Sequence, residues 1–185
     1  MKLLHQLRRL KKQFSPYRPT VEVIISRAAL VHNLNEFKKM YPGMQFAPVL
    51  KSNAYGHGLV EVAEIMESQK VPFVIVDSLF EATVLRNAGI KIKILVIGFT
   101  PVENIVSSRA KKISFTLTSL EQIKQLVTHT THDTCVHVKI DTGMHRQGIL
   151  PDEISEALEL ILQNSSITLE GVCTHLANAH NTNTK

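Results

Sequence analysis

From residue 21 onward, short runs of aliphatic and β-branched residues alternate with longer stretches of mixed polarity. The runs QFAPVLK (45–51), PFVIVD (72–77), KILVIG (93–98), ISFTLT (113–118), TCVHVKID (134–141) and TLEGVCTH (168–175) have the length and composition of strands. Between them, stretches at about 27–40, 58–69, 79–88, 102–109, 119–128 and 152–163 read as helices. Two helix starts carry appropriate chemistry. Ser119 with Gln122 resembles a capping box, and Pro151, Asp152 and Glu153 place acids at a helix N-terminus. The alternation predicts repeated βαβ units around a parallel sheet.

Such units build either an open doubly wound sheet or most of an eight-stranded barrel. The first βα turn reads SNAYGHG, which lacks the G-x-G-x-x-G of a dinucleotide site. Along 134–141, Val136, Val138 and Ile140 point one way, while Cys135, His137, Lys139 and Asp141 point the other. One face suits a cover of helices. The other, being polar, suits the inside of a barrel whose mouth holds a charged ligand. The α/β alternation with this polar face favours a partial (β/α)8 barrel, about six of its eight units, over the open sheet.

Charge sharpens the domain division. Residues 1–20 hold six of the 21 basic residues and none of the 16 acidic ones, so the body from 21 to 185 is nearly neutral. That distribution argues against a nucleic-acid partner. In the leader, Leu3, Leu7, Leu10 and Phe14 recur at helical spacing before Pro16 and Pro19. It reads as a basic amphipathic extension, 1–20, ahead of a domain at 21–185, packed on a partner or solvated, with membrane-surface contact or an organelle address as the lesser alternative. The apolar runs FVIV and ILVI are too short to span a bilayer and no secretory signal stands at the start, so a cytoplasmic protein is expected. Cys135 and Cys173 read as reduced thiols in strands. Each lies two residues before a histidine, His137 or His175, too weak a pattern to predict a metal.

Candidate chemistry gathers where α/β folds place it, at the carboxyl ends of the strands. Lys51 ends the first strand, DTGMHRQG (141–148) leaves the fifth, and His175 closes the sixth. Each has an ordinary explanation: Lys51 as a snorkelled surface charge, Arg146 as a partner of Asp141, His175 as a satisfied core residue. Together they suit an anionic, planar ligand.

At these residues the chain resembles a known family. LKSNAYGHG (50–58), HVKIDTGMHRQG (137–148) and GVCTHLANA (171–179), with VEVIISRAALVHNL upstream, are similar to the amino-terminal, pyridoxal-phosphate-binding barrel of alanine racemases. The resemblance implies pyridoxal 5'-phosphate as cofactor and Lys51 as the residue that forms an aldimine with it and serves as one of two bases. It implies Tyr55 on the cofactor phosphate, His175 stacked on the pyridine ring, and Arg146 facing the cofactor's phenolic oxygen and the substrate carboxylate. Lys139 matches a lysine that in many members is carbamylated and orients that arginine. His145 stands where many members have glycine, a departure expected to be tolerated because Asp141, Gly143, Met144 and Arg146 remain.

Interconversion of L- and D-alanine, which supplies the D-enantiomer for cell-wall precursors, follows as the implied function, in a homodimer with alanine as small-molecule partner. A Schiff base makes the cofactor ring an electron sink, and a desolvated lysine amine works as a base. The resemblance also implies a second base, a tyrosine from a β-rich domain beyond residue 185, and two further strands. This chain alone is thus expected to be inactive, with its sheet edges open. The alternatives are a non-catalytic pyridoxal-phosphate carrier or regulatory module, and a remnant with no ligand.

Overall fold

The computed structural model describes residues 20–179 apart from residue 22. The basic leader lies outside the described residues. Five strands, β1 (Phe73–Val76), β2 (Lys93–Val96), β3 (Ile113–Leu117), β4 (Thr134–Lys139) and β5 (Ile167–Cys173), pair in chain order and all in parallel. Six helices accompany them: α1 (Arg27–Met40), α2 (Leu59–Ser68), α3 (Leu79–Asn87), α4 (Val102–Ser107), α5 (Leu120–His129) and α6 (Ile154–Gln163). The last is entered through a 3-10 turn at Pro151–Glu153.

The expected strand at 45–51 shrinks to a single bridge. Val49 pairs with Ile75 of β1, flanked by hydrogen bonds from Leu50 N to Ile75 O and from Ile75 N to Pro48 O. Pro48 has no N–H to donate, and the chain leaves the sheet at Lys51 for a helical turn. β5 likewise stops at Cys173, short of His175.

One side of the sheet is packed by helices. Val74, Val76, Ile94, Val96, Val136 and Val138 are buried there against Ala82, Leu85, Ile105, Ile123, Leu126 and Ile161. The opposite side is polar at β4, where Cys135, His137 and Lys139 are half-buried, as their alternation predicts. This side is also strongly concave. Neighbouring strands stand about 4.8 Å apart, so β1 and β4 in a flat sheet would be separated by roughly 14 Å. The rings of Phe73 on β1 and His137 on β4 nevertheless lie 6.3 Å apart, centre to centre. Lys93 on β2 makes an ion pair with Glu170 on β5, again across three strand intervals. The sheet is therefore curled as a barrel wall, with β5 at one edge.

Glu170 organises that interior. It accepts hydrogen bonds from Lys93 Nζ and Ser114 Oγ and lies 3.8 Å from His137 Nε2. Burial pushes its carboxyl pKa up, but the bonds from Lys93 and Ser114 outweigh this and leave it below the usual value. Burial lowers the pKa of His137 and raises that of Cys135, which keeps the imidazole and thiol neutral. Gly171 leaves room for the imidazole, since a Cβ there would stand 2.8 Å from His137 Nδ1 and the ring would have to shift.

Candidate functional site

The helical turn after the bridge, Lys51–Tyr55, has an unusual hand. Ser52, Asn53, Ala54 and Tyr55 have φ between 52° and 57°, a run of left-handed non-glycine residues. Each costs on the order of 1–2 kcal/mol, so other contacts must hold the run in place. Ala54 is buried, and its N–H donates to Leu50 O at 2.8 Å. Asn53 Oδ1 accepts from Leu59 N at 2.8 Å, the first residue of α2, so the turn caps the helix that follows it. The remaining support comes from a different element. Glu81, on α3, accepts from Ser52 N at 2.8 Å through one carboxylate oxygen and from Asp77 N at 2.9 Å through the other.

These contacts present Lys51 half-buried at the C-terminal end of the sheet, with Tyr55 exposed beyond it. Among the described residues no carboxylate lies within 4.0 Å of the Lys51 ammonium.

The Asp141–Gly148 loop rises from β4 at the same end. It is closed at its base by Ile149 N to Lys139 O, 2.8 Å, and Asp141 N to Ile149 O, 3.0 Å. Gly148, at φ +136°, makes the closure possible, because a Cβ would meet Asp141 N at 2.4 Å. Asp141 does not pair with Arg146. Its Oδ1 accepts from Gly143 N and His145 N at 2.9 and 3.0 Å, and its Oδ2 lies 3.6 Å from His145 Nδ1. Those backbone bonds hold its carboxyl below the usual aspartate range.

His145 takes φ 51°, a left-handed position that explains why glycine suits it and why histidine needs the Asp141 bond. Arg146 is left exposed, beside Phe99, Thr118 and Ser119 in an open pocket of about 450 Å³, with no carboxylate within 4.0 Å among the described residues. Lys139 is half-buried at the end of β4 and reaches Gln147 Oε1 at 3.4 Å.

His175 is exposed just past β5 and shares a hollow with Met144 of the arginine loop. The two segments are joined by a hydrogen bond between the Thr142 and Thr174 hydroxyls, 2.7 Å, and Thr174 also donates to Ile140 O. Lys139, Arg146 and His175 thus stand on β4, on the loop that leaves it and just past β5, with Arg146 turned towards the ends of β2 and β3 and His175 towards Met144. Lys51 and Tyr55 stand at the β1 side of the same end. Glu81, Gln147 and the two threonines are the contributors that the sequence reading missed. Only Glu81 had a signal, the capping-box spacing Ser78-x-x-Glu81.

The site is thus a strand-end cluster with a primary amine, a guanidinium and an imidazole, set on an incomplete parallel α/β barrel. Comparison with known proteins gives that class a family. The profile described as alanine racemase, N-terminal domain, matches residues 25–185, and the chain belongs to this family. It is 38% identical over 166 residues to the alanine racemase of Staphylococcus saprophyticus, covering 87% of this chain and 43% of that protein. The alanine racemase of Bacillus anthracis with bound L-Ala-P superposes with a TM-score of 0.82 at 30% identity, over 91% of this chain and 45% of that one. A histidine racemase from Leuconostoc mesenteroides is also similar, with a TM-score of 0.80 at 26% identity over 92% of this chain and 47% of that one. The chain spans less than half the length of these relatives. Among the described residues, no helix is long and apolar enough to cross a membrane, and no group of three or more His, Cys, Asp or Glu side chains is placed to hold a metal.

Proposed function

We propose that this chain is the cofactor-binding part of a pyridoxal-phosphate-dependent alanine racemase, with Lys51 as the residue that carries the cofactor. The observation that carries the reading is the placement of Lys51 at the strand ends, on a strained turn, without a neutralising carboxylate among the described residues. A surface lysine needs no such construction.

The donor set fits the group. Lys51 offers an amine to an aldehyde, and Arg146 a planar cation to a phenolate and to a substrate carboxylate. His175 supplies a ring to lie on a heterocycle, and the exposed Tyr55 a hydroxyl for a phosphate. When bound, pyridoxal phosphate supplies the electron sink that makes an amino-acid α-proton removable.

The protein residues then divide the work. Arg146 fixes the carboxylate and so presents one face of the α-carbon. Lys51 Nζ takes or returns the proton on that face. Inversion requires a second base on the opposite face, which belongs to the rest of the protein. Lys139, through Gln147, keeps the arginine loop in register with β4, and carbamylation of its amine would turn it into an acceptor for Arg146. The same reading includes the division at residues 20 and 21, a homodimer, a cytoplasmic location and provision of D-alanine for cell-wall synthesis.

Alanine is favoured as substrate by the relatives' names, and the histidine racemase keeps a larger amino acid as the second reading. The test is exchange of the α-hydrogen with solvent deuterium in the complete protein. Exchange from both alanine enantiomers supports the racemase. Exchange only from histidine enantiomers transfers the reading to that substrate, and exchange from no amino acid leaves a cofactor carrier.

A further inference from the structure

The geometry points to a second binding site at the opposite end of the sheet, for a small polyanion bearing adjacent phosphate groups. The loops entering β2, β3 and β4 surround a pocket of about 720 Å³, well within the range of small-molecule sites. Lys91, Arg109, Lys111 and Lys112 stand exposed on it, with His132 half-buried between. Two acids share the lining, Asp133 and Glu170, and Glu170 is already committed to Lys93. Four cations against Asp133 leave a local surplus of three positive charges, although the charges of the body as a whole nearly cancel. Such crowding is unfavourable until an anion compensates it.

The loops are also held rigidly, by contacts that leave the lysine ammonium groups unused. Glu67 Oε1 accepts from Lys91 N and Ile92 N, both at 2.7 Å. The Arg86 guanidinium donates to the carbonyls of Ile90, Lys111 and Lys112 at 2.8 to 3.0 Å. Lys112 itself is held at φ 60°, in the left-handed region. Among the described residues, none of Lys91, Lys111 or Lys112 has a carboxylate within 4.0 Å of its amine. Arg109 caps the end of α4 through Val106 O at 2.7 Å and touches the His132 ring at 3.2 Å, which fixes one wall. Backbones fixed by half-buried partners, Glu67 and Arg86, and amines free at the rim are what a preorganised site for a multiply charged ligand requires. None of these residues belongs to the cluster around Lys51, so the inference stands apart from the racemase reading.

Tripolyphosphate is the probe, titrated into the complete protein by calorimetry at two salt concentrations. The expected result is saturable binding that weakens as salt rises and falls by about tenfold or more in the Lys111→Glu/Lys112→Glu double variant. A Lys38→Glu/Lys39→Glu variant on α1 changes overall charge equally and should leave binding as it was. Absence of saturable binding by the folded wild-type protein overturns the proposal. So does binding that the 111/112 variant leaves intact, or that the 38/39 variant weakens as much. If the double glutamate variant does not fold, Lys91→Gln/Lys111→Gln takes its place with the same expected loss.

Discussion

The turn that carries Lys51 and the loop that carries Arg146 meet the same structural demand by opposite means. Both must project a cation from a strand end while keeping it free of carboxylates. The lysine turn does so with four consecutive left-handed residues and depends on a carboxylate from another element, Glu81 of α3. The arginine loop spreads the problem over Gly143, His145 and Gly148 and is held by its own first residue, Asp141. Support from within a loop survives rearrangement of its neighbours. Support from another helix ties the position of Lys51 to the placement of α3 against β1.

Removing the amine itself should have the largest effect. In the complete protein, Lys51→Ala is expected to abolish racemisation and the near-visible absorbance of bound pyridoxal phosphate; an unchanged spectrum would remove Lys51 from its assigned role. Next comes Glu81→Ala, which leaves the Ser52 and Asp77 amides without their acceptor. A loss of about 1–3 kcal/mol is expected in denaturant unfolding, together with a lowered kcat, and Glu81→Gln should recover part of both because one acceptor oxygen remains. Full activity in Glu81→Ala would show that the turn holds itself.

Asp141→Asn should give a smaller, pH-dependent change. The Asp141 carboxyl lies below its ordinary range, so its contribution to stability is complete above the unfolded value and fades as pH falls through the folded one. Wild-type protein should therefore lose stability more steeply on acidification than the Asn variant. Parallel melting curves across that range would contradict the assignment. The smallest effect is a gain: His145→Gly relieves a left-handed position at a residue whose side chain is 82% exposed, and should stabilise by about 0.5–1 kcal/mol in thermal melts.

The contrast also explains what the sequence revealed. Helix and strand positions follow from periodicity, and five of the six expected strands appear within a residue or two of their expected starts. The exception, 45–51, is apolar enough to be a strand but contains Pro48 and pairs only at Val49. The pairing of Asp141 with Arg146 that the sequence offered does not form, although the partners Asp141 takes instead are local, two and four residues away. Glu81 could not be assigned to Ser52, 29 residues distant, by any local pattern. Its spacing from Ser78 suggests a bond to the N-cap amide, and the carboxylate instead bonds the amide one residue earlier, at Asp77. Gln122 makes the same displacement to Thr118 N. The separation of Arg146 from Asp141, whose oxygens turn to Gly143 and His145 instead, was invisible to spacing alone.

Strand order that repeats chain order has a consequence for how the protein is made. Every strand pairs with the one synthesised just before it, so no stretch of sheet waits for a distant partner. A chain emerging from the ribosome can add each βα unit to a surface already formed, growing from β1 towards β5 as translation proceeds. The lysine turn, tied to β1 and α3, is then among the earliest parts able to reach its final shape, before the arginine loop has been translated.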